Sequence, residues 1–366
     1  MLTHSGGIVQ LTVSQAVEQL STAYKTLIHS NIPLKTFPSI MLWGPPGVGK
    51  SQGVRQIAER IREGTGKDVR ITDVRLLLFN PVDLRGIPTA NAEKTLAVWL
   101  RPKIFDMDAS DSVVNILFLD EITAAPQSVQ AAAYQITLDR TVGEHRLPEN
   151  CIVIAAGNRI TDRSVAFNMP KALANRLCHI EIKGEAGGWH DWAVASGVHP
   201  LVMSYLDYNS FTLTQFDPTE DNLAFPTPRS WEMVSNILRT VSDDVTAIYP
   251  LIAGCIGVNT AGAFRTWCEI YSKIPPVALI FRESCFEVPG RPELMYATVA
   301  AMVDYARNGA TETELKNSVD YALKLPIEFR FRLFSDYYHL RPVRDKLRRD
   351  KTFSQWVTYH KEAQEI

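Results

Sequence analysis

Eight consecutive residues, Gly44-Pro45-Pro46-Gly47-Val48-Gly49-Lys50-Ser51, have the Gly-x-x-x-x-Gly-Lys-Ser spacing of a phosphate loop. Glycines let the backbone turn its N–H groups toward a pyrophosphate and approach it closely. A lysine at position 50 can reach the β- and γ-phosphates, and the Ser51 hydroxyl can hold Mg²⁺. Gln52 continues the loop into a helical stretch, whose N-terminal dipole favours an anion. Two further groups fit the same chemistry. Asp120-Glu121 closes an apolar run; Asp120 would hold Mg²⁺ mostly through water, and Glu121 would polarise an attacking water. Asn158 closes another run after Gly157, where a side-chain amide can meet that water or a γ-phosphate.

These residues need elements to hold them. Ile40 to Trp43 reads as the strand before the loop, and Gln52 to Arg62 as the helix after it. Val113 to Leu119 and Cys151 to Ala156 are apolar on both faces, as buried strands of a parallel sheet are. Val69 to Arg75 alternates like a strand, and His179 to Ile182 reads as the last one. A helix is expected from Pro126 to Leu138, and a hairpin around Gly143. Residues 1–10 read as a loose leader before a helix from Gln15 to about Ser30 capped by Ser14. Asn80 to Pro102 is too long for a simple connection and reads as an excursion with its own hairpin. Thr227-Pro228 opens a helix as N-cap and first residue, which puts Arg229 in a first turn, against the dipole unless a phosphate is near. That helix carries a stripe of Val234, Ile237, Leu238 and Val241; residues 250–272, 293–306, 312–324 and 328–339 continue the helical pattern.

Composition sets the class. With 46% hydrophobic and 21% charged residues, a packed core is expected rather than disorder. A net charge of -2 gives no global basic character for nucleic acid, and the cluster Arg341 to Lys351 reads as a solvated face. Five cysteines without a Cys-x-x-Cys pair (Cys151, Cys178, Cys255, Cys268 and Cys285) suggest reduced thiols. No signal pattern or membrane-length apolar run is present, so a cytoplasmic protein without membrane insertion is expected.

In order along the chain, Gly44–Ser51, Leu119-Asp120-Glu121, Gly157-Asn158, Asn175-Arg176 and Pro228-Arg229-Ser230 resemble the Walker A, Walker B, sensor 1, arginine finger and sensor 2 of an AAA+ ATPase. The MoxR-like group, related to dynein-type modules, is the nearest resemblance. Asn80 to Gly86 with Trp99 looks like its helix-2 insert, Asp139 to Pro148 like its pre-sensor-1 hairpin, and Met169 to Leu177 like its proline-alanine-leucine helix. The resemblance implies an α/β fold: a P-loop core with a five-stranded parallel sheet in order 5-1-4-3-2, then an α-helical lid and a helical C-terminal extension. Its domains would be an N-terminal helix over 1–33, a core over 34–190 with the insert at 80–102 and hairpin at 139–149, a lid over 191–275 and an extension over 276–366.

The resemblance also implies ATP and Mg²⁺, and a homo-oligomeric, usually hexameric ring assembled with ATP. Arg176 would reach a neighbour's γ-phosphate in trans, and Arg229 would sense the phosphate in cis. Relatives act as chaperones or remodelling motors on protein clients, with von Willebrand A-type partners. Where that family often has Asp-Arg-Phe, this chain has Asn175-Arg176-Leu177, which leaves Arg159 and Arg163 as alternative fingers. A nucleic-acid motor of restriction or defence type, and a nucleotide-gated assembly scaffold, are the competing readings.

Overall fold

The computed structural model describes residues 4–5, 7–159, 169, 174–184, 186–217, 222–283 and 287–364. It divides into two compact units, Met1–Glu185 and Ala186–Ile366. The first contains strands β1 (His4–Ser5), β2 (Ile8–Thr12), β3 (Ile40–Trp43), β4 (Asp68–Arg75), β5 (Ile87–Ala90), β6 (Ala97–Leu100), β7 (Val113–Asp120), β8 (Thr141–Val142), β9 (His145–Arg146), β10 (Cys151–Gly157) and β11 (Cys178–Lys183). Its helices are α1 (Val13–His29), α2 (Lys50–Thr65), α3 (Pro81–Arg85) and α4 (Gln127–Asp139).

The main sheet has the order β1-β2-β11-β3-β10-β7-β4. Six strands, β2 to β4 in that order, run parallel; β1 is antiparallel to β2. Numbering only the five expected strands along the chain, β11-β3-β10-β7-β4 is the order 5-1-4-3-2. The strands β7 and β10 are buried almost throughout, as their apolar runs require. One face of the sheet packs on α1 and α2 through Ile40, Leu42, Phe118 and Ile154, and the other packs on α4 through Met41, Leu117, Leu119 and Val153.

Two readings of the α/β unit change. Ile8–Thr12 is not a leader but an edge strand, parallel to β11, with Val9 opposite Ile180 and Leu11 opposite Ile182. The helix α1 is capped by Thr12 rather than Ser14: the Thr12 hydroxyl accepts from Gln15 N at 3.1 Å, and the Gln15 side chain accepts from Thr12 N at 3.0 Å. That reciprocal pair satisfies two N–H groups where a Ser14 cap would satisfy one. The proline-alanine-leucine segment 170–173 and Arg163 lie outside the described residues. The excursion is a short helix, α3, and an antiparallel hairpin, β5–β6; the Gly143 turn is the hairpin β8–β9.

The second unit is helical among the described residues: α5 (Ala186–Ser196), α6 (Pro200–Tyr208), α7 (Pro228–Thr240), α8 (Tyr249–Ile256), α9 (Val258–Tyr271), α10 (Val277–Glu283), α11 (Pro292–Arg307), α12 (Glu312–Ala322), α13 (Ile327–His339), α14 (Arg341–Leu347) and α15 (Lys351–Gln364). One hydrophobic cluster runs from Ala193 to Phe353, and Trp231 is wholly buried in it with Nε1 donating to Thr212 O at 2.9 Å. Thr227 caps α7 and Pro228 is its first residue. Val241 is exposed, because α7 ends at Thr240 and the stripe ends with it. The stretch 250–272 is two helices; Gly257, at φ +81°, breaks it, and a Cβ there would come 2.9 Å from Ala224 O. No helix among the described residues is long and apolar enough to cross a membrane.

Candidate nucleotide site

The loop 44–49 leaves the buried end of β3 and enters α2 at Lys50. Gly44, Gly47 and Gly49 have φ of +151°, +76° and +104°, so the turn uses the backbone freedom that its glycines supply. A Cβ on Gly44 would lie 2.7 Å from Ile182 O in β11. Val48 is buried and anchors the loop, while Pro45, Pro46, Ser51 and Gln52 are half-buried around it.

Side chains at the ends of two strands, β7 and β10, meet the residues of this loop. Lys50 Nζ donates to Gly44 O at 2.6 Å, to Pro45 O at 3.0 Å and to Asn158 Oδ1 at 3.0 Å. Ser51 Oγ donates to Asp120 Oδ2 at 2.9 Å. Asp120 Oδ1 accepts from Glu121 N at 2.9 Å, and Glu121 has φ +58°, a conformation that non-glycine residues avoid. Strain of this kind, on an exposed carboxylate beside a phosphate loop, fits a residue held for chemistry rather than packing. Phosphate loop, Asp120, Glu121 and Asn158 are thus brought together, at the C-terminal ends of β3, β7 and β10.

The hydroxyl and carboxylate of Ser51 and Asp120 form an oxygen donor pair of the hard kind that Mg²⁺ takes, so the residues fit the metal. A further carboxylate, Asp73, lies on β4 opposite Phe118, which puts it on the Asp120 face of the sheet. Burial and then the charge of Asp120 push its pKa up, against Arg75 and Arg55.

Three residues with no motif also belong to this region. Thr123 is buried; its Oγ1 accepts from Asn158 N at 3.0 Å and donates to Asn158 O at 3.2 Å. Trp43 Nε1 donates to His179 Nδ1 at 2.9 Å, and His179 Nε2 bonds Ala174 O at 2.6 Å. Position relative to Asp120-Glu121 and Asn158 could have drawn attention to Thr123; His179 had no such signal.

The arginines divide. Arg159 forms an ion pair with Glu181 of β11, whose side chain is buried. Arg176 is exposed, in the turn between Ala174 and Leu177. Arg229 is exposed in the first turn of α7, in the helical unit.

Strand order and loop define a P-loop α/β nucleotide-binding fold. Residues 40–182 match the family model described as ATPase family associated with various cellular activities (AAA). The match runs from the strand before the loop to the last strand of the sheet. Similar solved structures include a candidate ATPase from Cytophaga hutchinsonii, 15% identical over 84% of this chain and 89% of that one, with a TM-score of 0.30. They also include a RuvB variant from Thermotoga maritima, 13% identical over 80% and 84%, with a TM-score of 0.35. A third is NtrX from Brucella abortus in complex with ADP, 14% identical over 95% and 67%, with a TM-score of 0.31. At these values the likeness adds nothing to what the strand order shows. No curated protein matches the chain.

Proposed function

We propose that the protein is an ATP-hydrolysing AAA+ machine of MoxR-like type, working as a hexameric ring on a protein client with a von Willebrand A-type partner. The observation that carries the ATPase part is the hydrogen-bonded convergence of Lys50, Asn158, Ser51 and Asp120 on one glycine loop. The insert 80–102 and the hairpin 139–149 support the MoxR-like type, since both fold as hairpins there.

In this reading the loop N–H groups and Lys50 bind the phosphates. Ser51 and Asp120 would hold Mg²⁺, which when bound neutralises charge on the phosphate oxygens. Glu121 takes a proton from water as the water oxygen bonds the γ-phosphorus. The bond from that phosphorus to the β-phosphate oxygen breaks, giving ADP and phosphate. Asn158 orients the water, with Thr123 holding its backbone. Arg176 reaches a neighbour's γ-phosphate in trans, a contact worth about 10³–10⁵ in rate in other nucleotide hydrolases. Arg229 senses the phosphate in cis. Arg159 is the weaker finger candidate, because its guanidinium is already engaged with the buried Glu181 carboxylate of the same chain.

The test is the mass of Glu121→Gln in solution, with and without ATP and Mg²⁺, by light scattering on a sizing column. A shift to about six subunits only with nucleotide is the expected result. A monomer in both conditions would remove the ring and the trans arginine from the proposal.

A further inference from the structure

The arginine-bearing turn and the phosphate loop of the same chain are joined by a short series of direct contacts. Leu177 N donates to Ala174 O at 3.2 Å, so Asn175 and Arg176 are the two central residues of a closed turn. Leu177 is buried in the α4-side core, and Cys178 N donates to Ser39 O at 3.0 Å, which fixes the exit of the turn. The remaining tie is a side chain. His179 Nε2 bonds the same Ala174 carbonyl at 2.6 Å. On its other side Nδ1 faces Trp43 Nε1 at 2.9 Å, and the two rings stack at 5.9 Å with 21° between their planes.

Both partners fix the imidazole's chemistry. An indole N–H can only donate and a carbonyl can only accept, so the ring is neutral, with its proton on Nε2 and its lone pair on Nδ1. Trp43 is followed directly by Gly44, whose carbonyl takes the Lys50 ammonium at 2.6 Å. The path Lys50, Gly44, Trp43, His179, Ala174, Arg176 therefore has a covalent link or a hydrogen bond at every step, except for the turn that holds Arg176 itself.

We propose that His179, oriented by Trp43, is a positioning residue that sets Arg176 for the neighbouring subunit's nucleotide according to the state of its own phosphate loop. This rests on the reading of Arg176 as an arginine offered in trans. When Lys50 and the Gly44 carbonyl change partners on binding phosphate, Trp43 is the next residue to move, and the His179 pair carries that displacement to the turn. Neither residue touches substrate in this proposal.

Mixed rings test it, read as phosphate release. Arg176→Ala subunits keep a complete phosphate loop but offer no arginine; Glu121→Gln subunits offer an arginine but do not hydrolyse. In a mixture of the two, turnover comes from Arg176→Ala sites served by Glu121→Gln neighbours. His179→Phe, which keeps a ring but loses both hydrogen bonds, is then placed on one kind of subunit at a time. On the Glu121→Gln subunits it is expected to cut turnover about tenfold or more, as displacement of a positioned group does. On the Arg176→Ala subunits the loss is expected to be several-fold smaller. Equal losses in the two placements, or no loss in the first, overturn the proposal. If the unsubstituted mixture is no faster than its two components, the trans arginine itself is wrong and this inference goes with it. Should His179→Phe fail to fold, Trp43→Phe, which removes only the indole donor, goes into the same two placements with the same asymmetry expected.

Discussion

At the scale of single residues, the site depends on side chains that carry no motif. Thr123 is the clearest. It takes the Asn158 N–H and returns a hydrogen bond to the Asn158 carbonyl, so one hydroxyl fixes the backbone from which the candidate sensor amide projects. It also crowds Gly157, where a Cβ would come 2.7 Å from its Oγ1. Thr123→Val keeps the shape and removes both bonds. The expected result is a turnover loss of about tenfold, because the amide is no longer held. Stability should fall by about 1 kcal/mol for the N–H left without its partner. Thr123→Ser should recover most of the turnover. Steady-state phosphate release of the three proteins at saturating ATP decides it, and a Val variant as fast as the parent would leave Thr123 a packing residue only.

At the scale of elements, the hairpins can be separated from the site. Gly86, at φ +90°, lies so close to the Leu100 carbonyl oxygen that a Cβ would overlap it. It is the hinge through which α3 turns into β5. Trp99, in the facing strand, takes a hydrogen bond between its carbonyl and His145 Nε2 at 2.8 Å, so the two hairpins are tied together. Gly86→Ala should therefore loosen residues 87–100 and leave nucleotide affinity alone, since the atoms a methyl group would meet there belong to Leu100 and Pro102 of the same excursion. Limited proteolysis should show faster cleavage in this stretch, while binding of a fluorescent ATP analogue stays within about twofold, the scatter expected of an uncoupled site. Unchanged proteolysis would mean that the backbone relaxes around the methyl group.

The same scale explains what was legible in the sequence. Phosphate loop, Asp120-Glu121 and both hairpins are local patterns, and each is found where its residues predict. The strand Ile8–Thr12 was hidden because its partner, Cys178–Lys183, lies far along the chain, and nothing local announces a non-local pairing. Thr12 was readable: Thr12-Val13-Ser14-Gln15 is a capping-box spacing, and Ser14 competed with it only by being nearer the apolar stripe. The stretch 250–272 reads as continuous helical pattern in the sequence, and only the positive φ of Gly257 and the nearby Ala224 carbonyl show that the chain turns there. The His179 contact joins three stretches that are separate in sequence, so only the folded chain displays it.

At the scale of the whole molecule, each unit has its own core, and the helical one also holds buried charge. His190, on α5, lies between two buried carboxylates: Asp207 of α6 at 2.8 Å from Nδ1, and Asp336 of α13 at 2.8 Å from Nε2. The Arg332 guanidinium also reaches Nδ1, at 2.6 Å, and pairs with Asp207. Burial works against a charge on His190, but the two carboxylates outweigh it and raise the pKa from 6.5 to about 9. A histidine whose folded pKa is raised stabilises the protein fully below its unfolded pKa, and that contribution is lost as pH rises through the folded one. The window is therefore about 6.5 to 9. Half-buried His199 does not share it, since desolvation and then Arg239 hold it down to about 4; nor does Cys268, pushed up to about 12. Five of the seven tryptophans (Trp189, Trp192, Trp231, Trp267 and Trp356) belong to the helical unit, so tryptophan fluorescence reports mainly on its unfolding. The urea midpoint read this way should fall steadily between pH 7 and about pH 9.5. His190→Gln should lower the unfolding free energy at pH 7 by about 3–5 kcal/mol, as a broken buried pair does, and flatten the midpoint's dependence on pH. A parent protein whose midpoint holds level across that window would mean that His190 is neutral in the fold, and that the guanidinium of Arg332, not a proton, balances the two carboxylates.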